Sequence, residues 1–268
     1  MLDKVLLQSP IYLLLFARAF TLLMTLPLFS MSSTPRIAKV ALAGYIACFI
    51  LNTNDFSEYF NYLGPDGVTS MQFFLLLIGE ALIGLIMGFF VTIIFSSFSS
   101  AGQFIAFQMG LGAASAYDSL SQVENPLMGQ FFNLVAMLTF MQANWFQKWF
   151  LKAFSSSIDA LNAFSLVYAR ENIVTFLLRG LTNLFSDALI IALPIMGTLM
   201  LITLCTGLLT KAAPQMNLLS EGFPIMILVS FYLIATLIPQ LTNFFSRAFE
   251  SGFADLQELF IQISGGVK

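Results

Sequence analysis

The sequence predicts an all-α, polytopic, membrane-associated protein with kinked helices and helical hairpins. Three observations carry that prediction. Hydrophobic residues make up 58% of the 268-residue chain and charged residues only 9%, against roughly 25% charged in an ordinary soluble domain. Apolar tracts near or above the roughly 20 residues that cross a hydrocarbon core recur along the chain. No period-two alternation competes with them over comparable lengths. A globule of this length cannot hide so much apolar surface, because geometry bounds the fraction it buries.

Residues 10–31 form the first tract, interrupted only by Arg18. Lys4 followed by apolar residues superficially resembles a secretory signal. Arg18 breaks the apolar core, however, and no convincing small-x-small cleavage site follows, so an uncleaved first helix is expected. Residues 37–51 are a shorter tract carrying Lys39. Arg36 and Lys39 favour a cytoplasmic first connection and an N-terminus outside. The polar stretch 52–67 follows, with Asp55, Glu58, Asp66 and a Gly64-Pro65-Asp66-Gly67 turn signal.

The chain is apolar again from Met71, with no charge between Glu80 and Asp118. Further charge-free windows cover 125–147, 188–210 and 222–246. Tracts of these lengths predict roughly five or six hydrophobic helices in one domain. Small and polar residues interrupt them, as in Ser96-Ser97-Phe98-Ser99-Ser100-Ala101-Gly102-Gln103. Such residues allow close helix approach and hydrogen bonds between helices, which favours packing against other protein.

Composition removes much chemistry. The absence of histidine excludes His-dependent triads, HExxH zinc sites and imidazole relays. Cys48 and Cys205 each lie alone in an apolar run, so no CxxC pair or disulfide framework is visible. A net charge of −3 argues against a nucleic-acid partner. Tyr117-Asp118 superficially suggests an intramembrane aspartyl protease, but the required Gly-x-Gly-Asp element is missing, since Gly110-Leu111-Gly112 is followed by Ala113. The sequence therefore predicts no catalytic residue, cofactor or metal.

Several residues stand out all the same. Gly84 and Gly88 form a Gly-x-x-x-Gly pair, read either as tight packing within one chain or as a subunit-contact face. Arg18 and Glu80 are ionisable residues in apolar tracts, where burial without partners is expensive. Structural pairing between helices is expected of them rather than proton transport. Gly110, Gly112 and the Asn125-Pro126 step predict irregular backbone between two helices. That backbone is either an exposed connection or a segment lining a pore. Trp145 and Trp149, with Lys148 and Lys152, form an aromatic and basic cluster suited to a membrane interface or to another subunit. Near the C-terminus, Phe245, Phe249, Phe253, Leu256, Phe260 and Ile263 make an apolar helical stripe. Residues 244–268 are not basic as a lipid-surface helix would be, so this stripe is expected to dock a partner.

The sharpest local signal lies at 208–224. Lys211-Ala212-Ala213-Pro214-Gln215-Met216-Asn217, followed by Gly222-Phe223-Pro224, resembles the signature of the R subunit of the type III secretion export gate, the FliR/SctT family. The resemblance continues through Arg18 and Pro27-Leu28-Phe29, Pro35-Arg36-Ile37-Ala38, Gly79 to Leu85, Ala101-Gly102-Gln103, Gln108 to Gly112 and Ala192-Leu193-Pro194, in that family's order. Lys211 stands where Arg is common, and Ala143-Asn144-Trp145 replaces an Asn-Gly-His-like segment.

The resemblance implies a structural subunit of a flagellar protein-export channel with no catalysis of its own. It implies assembly with P-type and Q-type subunits (FliP and FliQ) and a FlhB-type switch subunit into a spiral gate. Unfolded export substrates would pass through the centre, membrane lipid would surround part of the gate, and part would stand above the inner-membrane plane. Residues up to about 185 correspond to a P-like portion and about 186–268 to a Q-like hairpin and terminal helix. The 110–128 region corresponds to the family's plug, with Gly110, Leu111, Gly112, Tyr117, Asp118, Leu120, Glu124, Pro126 and Met128 as gating residues. Gly84, Gly88, Lys211, Pro214, Gln215, Asn217, Phe249 and Phe253 are the expected subunit contacts. The competing function is an independent polytopic transporter or ion channel, for which no inverted repeat or binding constellation is visible.

Overall fold

The structure, a computed structural model, describes residues 2–30, 35–53, 71–111, 127–161, 163, 165–212 and 218–265. No strand occurs among the described residues. Helix α1 (Leu2–Thr25) is followed by the short α2 (Pro27–Ser30). The tract at 10–31 is thus broken at Leu26 rather than continuous. Pro27 explains the break, since proline disfavours helical backbone at the residue before it and suits the first position of a new helix. Helix α3 (Arg36–Thr53) packs along α1, where the Tyr12 hydroxyl donates to the Gly44 carbonyl at 3.4 Å.

Next come α4 (Met71–Gln108), α5 (Leu127–Gln142) and α6 (Trp145–Gln147). A π-helical turn at Lys148–Ala153 leads into α7 (Phe154–Ala160), α8 (Ser165–Tyr168), α9 (Arg170–Ala212) and α10 (Leu218–Gly265). Four of these are long and apolar enough to cross a membrane: α3, α4, α9 and the Gly222–Ile263 stretch of α10. The three longest contain 38, 43 and 48 residues. At about 1.5 Å per residue they measure about 57, 65 and 72 Å, roughly twice a hydrocarbon core of about 30 Å. Pro10, Pro194, Pro224 and Pro239 lie inside helices.

The hydroxyls in these apolar helices mostly turn back on their own backbone. Thr139, Thr198, Thr203 and Thr236 each donate to the carbonyl four residues earlier, and Ser97 donates to Ile94. Such back-bonds satisfy the hydroxyl without a partner helix. They explain how polar residues sit in tracts where cross-helix bonding was expected.

Two compact units divide the chain: Met1–Ile93, Trp145–Gly180 and Ser251–Lys268 form the first, and Ile94–Asn144 and Leu181–Glu250 form the second. In the first, Leu14, Phe73 and Leu76 cluster with Leu77 and Ala163, and the Phe90 ring lies 4.2 Å from Phe176. The second has an aromatic core. Its Phe98 and Phe245 centroids are 4.2 Å apart, and Phe249 lies 5.0 Å from both Phe95 and Phe140.

This packing corrects two expectations. The C-terminal stripe does not present a docking face, because Phe245, Phe249, Phe253, Leu256, Phe260 and Ile263 are all buried. Phe249 fills the aromatic core of the second unit, and Phe253 packs on Trp145 and Trp149 in the first. The tryptophans likewise form neither a lipid anchor nor a subunit contact, since both are buried within the first unit. Lys148 sits 3.9 Å above the Trp145 ring, covering it with a cation.

Candidate functional site

The first unit holds a buried charged knot. Helix α1 supplies Arg18 and α4 supplies Glu80, both essentially without solvent contact. Arg18 Nε donates to Glu80 Oε2 at 2.6 Å, and Nη2 lies 2.5 Å from the same oxygen. Nη1 donates to Ser157 Oγ at 3.1 Å and Nη2 to the Leu161 carbonyl at 2.7 Å. Ser157 in turn donates to the Phe154 carbonyl at 2.6 Å. Leu161 caps α7 with extended backbone, φ −131° and ψ 117°, so its carbonyl points out of the helical ladder toward the guanidinium.

Isolated, either charge would cost several kcal/mol to bury. Here the planar fork of the guanidinium meets a carboxylate, a hydroxyl and a carbonyl together, a task lysine's single ammonium cannot perform. The knot ties α1, α4 and the end of α7, as expected of structural pairing. Beside it, α4 presents Gly84, Gly88 and Thr92 at four-residue intervals after Glu80. A Cβ at Gly84 would collide with the Arg18 carbonyl and Thr21 Oγ1, and one at Gly88 with Thr25 Oγ1. Thr92 donates across to the Thr25 carbonyl at 2.8 Å. Of the two readings of Gly84 and Gly88, packing within the chain is the one observed; the α1 backbone occupies the face a partner would need.

The second unit holds both described borders of the expected gate segment. Helix α4 ends in a turn where Gly110 adopts φ +83°, and its N–H donates to the Phe107 carbonyl at 3.1 Å. Left-handed backbone at a helix end favours glycine. The Phe223 ring occupies the space a Gly110 side chain would need. Leu111 is half-buried. Gly112, Tyr117, Asp118, Leu120, Glu124 and Pro126 lie outside the described residues.

Met128 is not part of an irregular segment. It belongs to the first turn of α5 and is buried. There the glycines of two helices permit a close crossing: a Cβ at Gly102 would meet the Met128 carbonyl at 2.5 Å, and one at Gly129 would meet the Ser99 carbonyl at 3.0 Å.

Among the expected contact residues, Lys211 is exposed in the last turn of α9, where a cation complements the helix dipole. Pro214, Gln215 and Asn217 lie outside the described residues. Sequence reasoning missed Ser157 and the Leu161 carbonyl. The Ser155-Ser156-Ser157 run was the only local hint of the first, and a backbone acceptor has no sequence signature. Phe223 was noticed within a motif, without a role. Among the described residues, no group of three or more carboxylates or cysteines could hold a metal.

Comparison with known proteins adds a family. Residues 10–252 match the model of bacterial export proteins, family 1. The chain is 32% identical over 197 residues to the flagellar biosynthetic protein FliR of Borreliella burgdorferi, covering 72% of this chain and 73% of that protein. It is 28% identical over 250 residues to FliR of Escherichia coli, covering 92% and 91%. The surface presentation of antigens protein SpaR of Shigella flexneri is 31% identical over 175 residues, covering 65% and 66%.

Proposed function

Because the chain belongs to the bacterial export proteins, family 1, we propose that it is the gating R-type subunit of a spiral protein-export channel. It is a structural component of the bacterial flagellar type III export apparatus and a multi-pass protein of the inner membrane. The family match over residues 10–252 carries this reading.

Its partners are the P-type and Q-type subunits (FliP and FliQ) and the FlhB-type switch subunit. Unfolded flagellar substrates pass along the assembled channel. Residues up to about 185 act as the P-like portion and about 186–268 as the Q-like hairpin and terminal helix. Exposed Lys211, with Pro214, Gln215 and Asn217, contacts a neighbouring subunit. Helices roughly twice the bilayer thickness support an assembly that stands partly above the membrane plane.

The gate lies at 110–128, with Gly110, Leu111, Gly112, Tyr117, Asp118, Leu120, Glu124 and Pro126 contributing. A resting gate must block ions yet admit an unfolded chain, and apolar groups that exclude water serve that end. Its test is a short deletion within 112–122, made in the complex and checked for assembly by co-purification. Ion leakage without substrate is expected to rise. Normal leakage from a correctly assembled deletion complex would sink the gate, and recovery of the chain as a stable monomer without P- or Q-type subunits would sink the assembly.

A further inference from the structure

We propose that the first turn of α3 is a binding site for the phosphate of an anionic phospholipid, held by Arg36 and Lys39. The site is independent of the gate and needs only that the chain is an inner-membrane protein.

The charge at this turn has one sign. Between Arg18 and Asp55 the sequence contains no charged residue except Arg36 and Lys39. Both stand in the first turn of α3, which holds no acidic residue there. A helix N-terminus is the positive end of the macrodipole, so cations are normally disfavoured at this position. Lys39 is also buried, only 7% exposed. Among the described residues, neither Lys39 nor Arg36 forms an ion pair or a side-chain hydrogen bond. An ammonium withdrawn from water without a counter-charge is costly, and no described residue supplies one.

Helix geometry sets the direction of the lysine. Side chains lean toward the N-terminus of their helix, so the stem of Lys39 brings its ammonium back toward the turn that Arg36 opens. A buried stem with its charged tip at the protein's edge is how lysine reaches a headgroup layer from an apolar tract. An anion at this turn meets a guanidinium, an ammonium and the helix dipole together.

Length and flank identify the anion. Helix α3 has 18 residues, about 27 Å at about 1.5 Å per residue, close to a hydrocarbon core of about 30 Å. The other three membrane-capable helices run far longer. The ends of α3 therefore fall at the two headgroup layers, where lipid phosphates lie. Ile37 and Val40, beside the two cations, are 82% and 45% exposed and give acyl chains an apolar wall. A soluble anion would meet the charge alone, whereas a phospholipid meets the charge and the wall.

The test uses the assembled export complex in bilayers of phosphatidylcholine and phosphatidylglycerol, with the photoreactive residue p-benzoylphenylalanine in place of Ile37. Irradiation is expected to yield phospholipid adducts enriched in phosphatidylglycerol over the bilayer's own composition. Lys39→Met keeps an apolar stem and removes the charge; it should reduce that enrichment roughly fivefold, the share of one cation near a membrane surface. Arg36→Gln should act in the same direction, and Lys39→Arg should preserve the enrichment. Adducts to another protein subunit would mean that a partner carboxylate takes this place, and they overturn the proposal. Lipid adducts at bilayer composition, no adduct at all, or an enrichment that Lys39→Met leaves unchanged overturn it as well.

Where the photoreactive chain does not assemble, the phosphatidylglycerol retained by the purified complex is measured with and without Lys39→Met. A fall supports the site, and an equal amount overturns it. Leakage from the deletion in 112–122 judges the gate separately.

Discussion

The first unit fastens its helices with a charged pair that points, and the second with rings that fill. Around Arg18, each donor has an acceptor at a set angle and distance, so α1, α4 and the end of α7 fit together in one register. Around Phe249, Phe95, Phe98 and Phe140 meet it at centroid distances of 5.0–5.5 Å in tilted or edge-on geometry. Dispersion and edge-to-face preferences hold such a cluster together but tolerate small rotations. Apolar tracts thus leave the choice of fastening open. A buried polar network specifies a unique arrangement when fully satisfied, whereas an aromatic core supplies stability and permits adjustment.

The largest expected effect tests the directional side. Arg18→Ala strands Glu80 in an apolar core and should destabilise the first unit by about 3–5 kcal/mol. Arg18→Lys should recover little of this, because one ammonium cannot reach Glu80, Ser157 and Leu161 together. Thermal unfolding of the purified complex measures both. A full recovery by lysine would mean that charge alone matters, and the contrast between the units would collapse.

The next effect tests the glycines beside the knot. Gly88→Ala should cost about 1–3 kcal/mol through overpacking against Thr25 and the Leu22 carbonyl, and Thr25→Ala should relieve the share due to Thr25 Oγ1. Gly102→Ala in the second unit meets backbone atoms of Met128 and Gly129 alone at its nearest contacts, so no neighbouring side-chain truncation should relieve it. Equal rescue at both sites would contradict this distinction.

A smaller effect is expected where filling dominates. Phe249→Leu keeps an apolar side chain in the second unit but gives up three ring contacts and part of the volume, and should cost about 1–2 kcal/mol. A loss as large as that of Arg18→Ala would show that the rings, too, are geometrically exacting. The smallest change concerns Trp149, whose indole N–H is buried without a hydrogen-bond partner. Trp149→Phe removes that unsatisfied donor, and its gain should offset the lost ring volume to within about 1 kcal/mol. A cost of several kcal/mol would show that lost ring packing outweighs the relief of the unsatisfied donor.

The same contrast explains what the sequence made legible. Helical class and the course of α4 were readable, because a polar stretch precedes Met71 and Gly110 marks a stop. The break at Leu26 was written in Pro27, yet hydropathy averages over such a residue. Periodicity identified Phe249, Phe253, Trp145 and Trp149 as one-sided apolar positions but not what covers them, and the chain covers them itself. Arg18 and Glu80 were recognisable as costly residues. Their pairing was expected, but the other two acceptors were not, since Ser157 and Leu161 lie 139 and 143 positions from Arg18 and no local rule joins them.

The knot also imposes an order in time. Glu80 follows Arg18 by 62 residues, and Ser157 and Leu161 follow by 139 and 143. At roughly 5–20 residues per second, a ribosome delivers the carboxylate about 3–12 s after the guanidinium, and the last acceptor about 7–29 s after it. Until then α1 carries an unneutralised cation that belongs in water or among lipid headgroups rather than in hydrocarbon. Its final seating therefore waits on α4 and then on α7, so chains interrupted during synthesis before residue 80 should hold their first helix at the membrane surface.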